Sequence, residues 1–236
     1  MDYKDYCWGQ TPENFWYKGK NKLIDNLMSK IFCQKTNLKI LNLGAGTGDD
    51  LKILNKYGNN YVIDVDKKAL SFINENLCAE KRLANACDLP YKDNFFDVVV
   101  SFDVFEHIEN DKKAVSEIYR VLRKEGVLFF IVPAFQFLFC SHDKAMGHKR
   151  RYDKKTLKKL LYDFKNIKLY YWDSFLFLPI ATAKLARKNS KPKLGYRRLP
   201  KTANDFLYLL LKIESECVKH DIPFPFGISI VGTCNK

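Results

Sequence analysis

The sequence has only four histidines, and its 27 Asp and Glu are outnumbered by 40 Lys and Arg. Its seven cysteines form no CxxC pair and keep no regular spacing, which excludes a zinc-finger or disulfide framework. An odd set of unpaired thiols fits a reducing, cytoplasmic compartment. Long hydrophobic runs are absent. The longest uncharged apolar stretch, SFLFLPIATA at 174–183, is too short to span a bilayer. The opening MDYKDYCWGQ is mixed in character and lacks the charged-then-apolar layout of a signal peptide. Internal repeats and low-complexity tracts are also missing.

What remains is the composition of a globular domain: 236 residues, 47% hydrophobic and 28% charged. That length suits one domain, or one domain with a substantial insertion. The net charge of +13 is concentrated in two runs, KAMGHKRRYDKKTLKK (144–159) and KLARKNSKPKLGYRRLPK (184–201). A solvated basic face accounts for such runs as readily as a partner does. The partners they would suit are a phosphate-bearing substrate, an anionic membrane surface or nucleic acid.

Leu23, Ile24, Leu27, Met28, Ile31 and Phe32 recur at the spacing of one helix face. From residue 38 onward strands and helices alternate. LKILNL (38–43), NYVIDV (60–65) and FDVVVSF (96–102) read as strands, the last too continuously apolar for a half-exposed position. Helices are predicted over DDLKILNKY, through Ala69, Leu70, Ile73 and Leu77, and over 111–122. Gly126 then breaks the pattern ahead of another buried strand, in RKEGVLFFIVPA. This rhythm implies a parallel α/β sheet with right-handed crossovers. A loop of roughly twenty residues follows Pro133, leading to a basic helix (KKTLKKLLYDF) and a strand (NIKLYYW). An apolar helix at 206–213 and a last strand in FGISIVGTCNK complete the chain. The expected organisation is a helical cap (1–36), a core (37–173 and 226–236) and an inserted substrate lid (174–225).

The stretch LNLGAGTGDD (41–50) carries Gly44, Gly46 and Gly48 directly behind the first strand. Strand, glycines and helix together present backbone N–H groups to a nucleotide-derived ligand. The spacing is GxGxG; Asp49 stands where the dinucleotide pattern is off register, and no GKS or GKT follows to make a phosphate loop. Asp64 ends the second strand, where a carboxylate can accept hydrogen bonds from both hydroxyls of a ribose. Helix capping is the structural alternative for Asp64, and for Asp66 as well.

Five stretches, LNLGAGTG, VIDVDKKAL, NACDLPYKDNFFDVVVS, DVFEHIEND and VLRKEGVLFFIVPA, stand in order across residues 38–134. In sequence and spacing they resemble the class I S-adenosylmethionine-dependent methyltransferases, type 11. The resemblance implies a Rossmann-like, mostly parallel seven-stranded sheet in the order 3-2-1-4-5-7-6, with helices on both faces and a helical insertion before the last strand. It further implies that S-adenosylmethionine is held by Asn42, Gly44, Ala45, Gly46, Gly48, Asp64, Val65, Asn85, Ala86 and Ser101. Within that set Gly44 and Gly46 would face the methionine part, Asn85-Ala86 the adenine, and Ser101 the floor under the sulfonium. The chain departs from the family where it has Asn42 and Asn85, positions that usually carry acids. An Asn carbonyl still accepts a hydrogen bond, more weakly than a carboxylate.

Methyl transfer to a hydroxyl needs in-line positioning and a base. His107 follows the fourth strand, and His142 and His148 lie beyond the fifth, so all three are candidates. Asp103, Glu106 and His107 at i, i+3 and i+4 would project to one side of a helical turn. With His142 or His148 they resemble the divalent-metal sets of small-RNA 3′-end and ubiquinone-pathway methyltransferases, His142 being the one taken into the expected set. Resemblance beyond the core, in ENFWYKGKNKLI, PAFQFLFCSHDKAMGHKRRYDKKTL and PFPFGISIVGTCNK, is to bacterial and archaeal methyltransferases accompanying cell-surface glycan assembly. It implies O-methylation of a sugar or lipid-linked glycan, with Lys149, Arg150, Arg151 and Tyr152 at its phosphate. The competing readings are an RNA or protein substrate, and a scaffold that binds the cofactor without catalysis. The Asn-Pro-Pro-Tyr-type signature of amino-methylating adenine enzymes and the Pro-Cys nucleophile of cytosine C5 enzymes are both absent.

Overall fold

The computed structural model describes residues 6–33, 35–186, 188, 190 and 199–236. Seven strands form one sheet in the order β3-β2-β1-β4-β5-β7-β6. They are β1 (Leu38–Leu43), β2 (Gly58–Asp64), β3 (Glu80–Leu83), β4 (Phe96–Phe102), β5 (Leu122–Pro133), β6 (Lys165–Trp172) and β7 (Ser229–Asn235). Pairings among β1 to β5 are parallel, whereas β7 runs antiparallel to both β5 and β6. The order is the one implied by the sequence resemblance. Two apolar clusters lie on opposite faces. Leu41, Val99 and Phe130 belong to one, and Ile40, Val98, Val100 and Phe129 to the other. Alternate residues of β4 point to opposite faces, and both faces are covered, so the strand is apolar without interruption.

Eight helices are described: α1 (Phe15–Phe32), α2 (Leu51–Leu54), α3 (Lys67–Ser71), α4 (Asp111–Val121), α5 (Ser141–Met146), α6 (Lys154–Leu160), α7 (Phe177–Ala186) and α8 (Lys201–Lys219). Side-chain caps set several starts. Asn14, Asp66, Asn110 and Asp153 accept from the backbone N–H of Trp16, Lys68, Lys113 and Thr156.

Three elements differ from expectation. The helix predicted over DDLKILNKY is the single turn α2, because Tyr57 must hand the chain to β2 at once; the tyrosine is buried and its hydroxyl donates to the Asp25 carbonyl at 3.2 Å. The next helix breaks after Ser71 and resumes as a 3₁₀ turn at Glu75–Leu77, where Asn74 accepts from the Asn76 N–H. The helix expected at 206–213 extends over 201–219 because it docks on α1. Asn204 Oδ1 accepts from the Phe15 N–H at 2.8 Å, and Gly19 of α1 lets Leu211 approach its backbone. Gly126 does mark a discontinuity, but inside β5. Pairing with β4 jumps from Phe96–Leu122 to Val98–Val127, a bulge that places residues 123–126 outside the ladder.

No helix among the described residues is long and apolar enough to cross a membrane. Residues 187, 189 and 191–198, in the second basic run, lie outside the described residues.

Candidate active site

A cavity of about 850 Å³ opens where β1, β2 and β4 end, at the carboxyl edge of the sheet. Its first wall is the glycine loop. Gly44, Gly46 and Gly48 all take left-handed φ angles, 69°, 55° and 75°, which residues with side chains rarely adopt. The loop is tied to β2. Gly44 and Ala45 donate to the Ile63 carbonyl at 2.9 and 3.3 Å, and Gly46 N–H donates to Asp64 Oδ2 at 2.9 Å. Asp64 Oδ1 accepts from the Asp66 N–H at 2.9 Å. Each Asp64 oxygen thus keeps lone-pair capacity for a ligand. The helix cap is Asp66, not Asp64.

Of the ten residues expected to hold the cofactor, Gly44, Ala45, Gly46, Asp64, Val65, Asn85 and Ala86 line this cavity. Asn42, Gly48 and Ser101 do not. Gly48 packs inward instead, where a Cβ would meet Leu51 and Ile73 at 2.9 and 3.0 Å. Ser101 is fully buried within β4 opposite Leu43, and Phe102 and Asp103 form the wall beside it. Asn42 is buried too, and its Nδ2 donates to Asp50 Oδ2 at 3.0 Å. Asn85 Oδ1 accepts from the Cys87 N–H at 2.9 Å, so the side chain shapes the turn that carries Ala86.

The opposite wall is polar. His107, His142 and His148 all reach the cavity. His107 and His148 stand edge to face with ring centroids 4.6 Å apart, whereas His142 lies near the Trp8 ring, 6.3 Å away. His148 Nδ1 is 3.2 Å from Asp143 Oδ1. Burial opposes ionisation of Asp143, yet the His148 hydrogen bond and the Arg151 and Lys184 charges together hold its carboxyl well below the usual range. Glu106 behaves oppositely: burial, then the nearby Asp103 carboxylate, push its carboxyl well up. Ligand atoms of Glu106, His107 and His148 lie within 4.8 Å of one another.

The expected metal set of Asp103, Glu106, His107 and His142 is therefore not the one assembled. Asp103 Oδ2 instead accepts from Lys20 Nζ at 3.1 Å, and of the two candidate histidines it is His148, not His142, that stands with Glu106 and His107. The substrate set also changes. Lys149 pairs with Glu109 at 3.4 Å and Arg150 with Asp111 at 2.8 Å. Arg151 lines the cavity but is committed to Asp143, with Nε at 3.0 Å, while Tyr152 is buried and donates to the Phe105 carbonyl at 3.1 Å. Lys149, Arg150 and Arg151 are thus each paired with an acid distant in sequence, and the Tyr152 hydroxyl is held by hydrogen bonds to the Phe105 carbonyl and Asp111.

Sequence reasoning missed Lys20, Asp50, Asp143, Asp173 and Lys184, all of which line the cavity. A buried lysine on α1, within ENFWYKGKNKLI, was the one local signal available. Lys20 is only 6% exposed and its ammonium lies 4.9 Å from the Trp16 ring centroid.

Residues 41–130 match the family profile described as "Methyltransferase domain", type 11. Over that segment the chain carries a methyltransferase domain of type 11. The methyltransferase domain is similar to the ubiquinone/menaquinone biosynthesis C-methyltransferase of Wigglesworthia glossinidia brevipalpis, 34% identical over 137 residues, 51% of this chain and 54% of that protein. An uncharacterised protein of Methanocaldococcus jannaschii is 30% identical over 158 residues, 65% of each chain. The chain thus spans less than two thirds of the length of these relatives. Among solved structures, the [4+2]-cyclase SpnF superposes with a TM-score of 0.62 at 17% identity, covering 97% of this chain and 86% of that one. That likeness shows the fold, and a cyclase on the same scaffold shows why activity must be argued from the site.

Proposed function

We propose that this protein is an S-adenosylmethionine-dependent O-methyltransferase acting on a sugar or lipid-linked glycan. The observation that carries the cofactor assignment is the left-handed glycine loop hydrogen-bonded to Asp64 at the mouth of the cavity. A carboxylate held by two backbone N–H groups and still able to accept suits a vicinal diol. The Ala86 turn offers an apolar seat for an adenine ring. Bound there, the cofactor would supply an electrophilic methyl group; the protein supplies position, a proton acceptor and exclusion of water.

His107 and His148 are the groups suited to receive the acceptor's proton. His148 Nδ1 lies 3.2 Å from Asp143 Oδ1, a contact that fixes the ring and leaves Nε2 as the nitrogen for the acceptor's proton. Trp16 and Tyr17 of α1 give the acceptor side an aromatic wall suited to a sugar ring. Access from a lipid surface is supported by α7, FLPIATAKLA, whose Leu178 and Leu185 are exposed while Ile180 and Lys184 line the cavity. Peripheral contact with an anionic membrane follows from this apolar helix and the net charge of +13, and co-sedimentation with anionic against zwitterionic vesicles checks it.

The test of this function is incubation with methyl-labelled S-adenosylmethionine and separated glycolipid, RNA and protein fractions. The proposal expects label in the glycolipid fraction that survives mild base, as an ether does and a methyl ester does not. Label confined to RNA or protein would replace it with the competing class. No transfer to any fraction, with the cofactor bound, would favour a binding scaffold.

A divalent cation is a second reading, favoured by Glu106, His107 and His148, whose carboxylate and imidazole donors suit such an ion. Glu106 Oε2 is buried and has no hydrogen-bond partner. Metal analysis of the purified protein, with thermal unfolding before and after chelation, decides it; unchanged unfolding and no bound metal would remove it.

A further inference from the structure

Cys140, where the chain enters α5, and Lys184, on α7, are 44 residues apart yet meet beside the cavity. Apolar packing seats the helix there: Ala181, one turn before Lys184, shares a cluster with Leu138, two residues before Cys140. Lys184 Nζ donates to Cys140 Sγ at 3.7 Å, and the two groups share one carboxylate oxygen. The thiol donates to Asp143 Oδ2 at 3.2 Å, and the Lys184 ammonium lies 3.5 Å from the same atom. Arg151 Nε adds a second cation, 3.0 Å from Asp143 Oδ1. A thiol set among cations is the kind that ionises and reacts. Cys234 is the contrast: it too is buried, but burial alone acts on its thiol and pushes it up. Burial, and then the Arg151 charge, lower Lys184 from its usual value, which enlarges the fraction of free amine at Nζ.

We propose that Cys140 and Lys184 form a peroxide-dependent covalent crosslink, a sulfenamide between Sγ and Nζ, that fastens α7 to the cavity wall. The oxidant is hydrogen peroxide, small enough to enter through the cavity that Lys184 and Asp143 line. The Cys140 sulfur attacks one peroxide oxygen and the O–O bond breaks. The thiol proton leaves with the departing hydroxide as water, and sulfur is left as the sulfenic acid. The Lys184 nitrogen then attacks that sulfur. An S–N bond forms, the S–O bond breaks, and the hydroxyl leaves as a second water with one amine proton. Sulfur loses the two electrons that peroxide gains, and a dithiol returns them by attacking the sulfur and releasing the amine. The flexible end of the lysine closes the remaining gap without a backbone shift. The bond takes the Lys184 charge away from Asp143 and ties α7 to the 134–153 connection. Its chemistry needs neither cofactor nor acceptor.

The test treats the purified wild-type protein with hydrogen peroxide, blocks the remaining thiols with iodoacetamide, and maps its proteolytic peptides by mass spectrometry. The expected product is a peptide pair joining Cys140 to Lys184, lighter by two hydrogens than the sum of its parts and separated by dithiothreitol. Exposed Cys7 and Cys33 show that the dose is effective, and Cys234 should stay reduced. Lys184→Arg keeps a cation beside Asp143, but a guanidinium does not deprotonate and cannot attack the sulfur. That variant should lose the pair completely and leave Cys140 as a sulfenic acid that dimedone traps, or as a higher oxide. Cys140→Ser should lose the pair as well. Cys140 that stays reduced in the wild type while Cys7 and Cys33 oxidise would overturn the proposal. So would Cys140 oxidised with Lys184 left free.

Discussion

Asp173, at the end of β6, is 1% exposed, adopts a left-handed φ of 61° and has an Oδ1 without a partner. Burial, and then the Glu214 carboxylate, raise its pKa from 3.8 to about 7. Glu214 cannot relieve the crowding, because its Oε1 is committed to the Ser174 and Phe175 N–H groups at 2.6 and 2.7 Å. The folded protein therefore holds the Asp173 proton more tightly than the unfolded chain does. That contribution to stability is complete below about pH 4 and is lost as the pH rises through about 7. Asp173→Asn removes the titration while keeping the shape. Relative to wild type, the variant should gain about 1–3 kcal/mol of stability between pH 5 and pH 8, read from denaturant unfolding at both. A difference that does not change with pH would contradict this account. Asp173 was invisible in the sequence because no local pattern around it marks a buried acid. Its burial is created by β7 and α8, contributed by residues far along the chain.

Among the elements, α1 and α8 illustrate how packing replaces local signal. Gly19 sits within α1, and a Cβ there would lie 2.7 and 2.8 Å from Leu211 Cδ1 and Cβ of α8. Leu211 is fully buried, so it has little room to yield. Gly19→Val should destabilise the protein by about 1–3 kcal/mol through overpacking, seen as a lower Tm. Leu211→Ala in the same background should return part of that loss; an unaltered Tm in the single variant would show that the helices are not in close contact. The strands were legible because burial on both faces leaves unbroken apolar runs in β4 and β5. Helix ends were less so. The short turns at α2 and α3 are set by the return into β2 and by Asn74, and neither leaves a periodic trace. The basic run at 149–151 was misread for a related reason: Glu109, Asp111 and Asp143, which neutralise it, are spread over more than thirty residues.

At the scale of the whole molecule, the sheet order brings the ends of β1, β2 and β4 to one edge and folds α1 and the 134–153 connection over them. What local spacing can encode, the glycine loop and Asp64, was legible before the fold was known. What depends on distant segments meeting, such as Lys20 against Asp103, His107 against His148, or Asp50 beneath Asn42, was not. The central claim is that this edge binds S-adenosylmethionine through the loop and Asp64. Titration of S-adenosylhomocysteine into wild-type protein and Asp64→Ala tests it most directly. The account predicts one saturable site in the wild type and at least about 10-fold weaker binding in the variant, whose thermal unfolding should still be cooperative. Equal affinity in the two proteins, or no binding to the wild type, would contradict it.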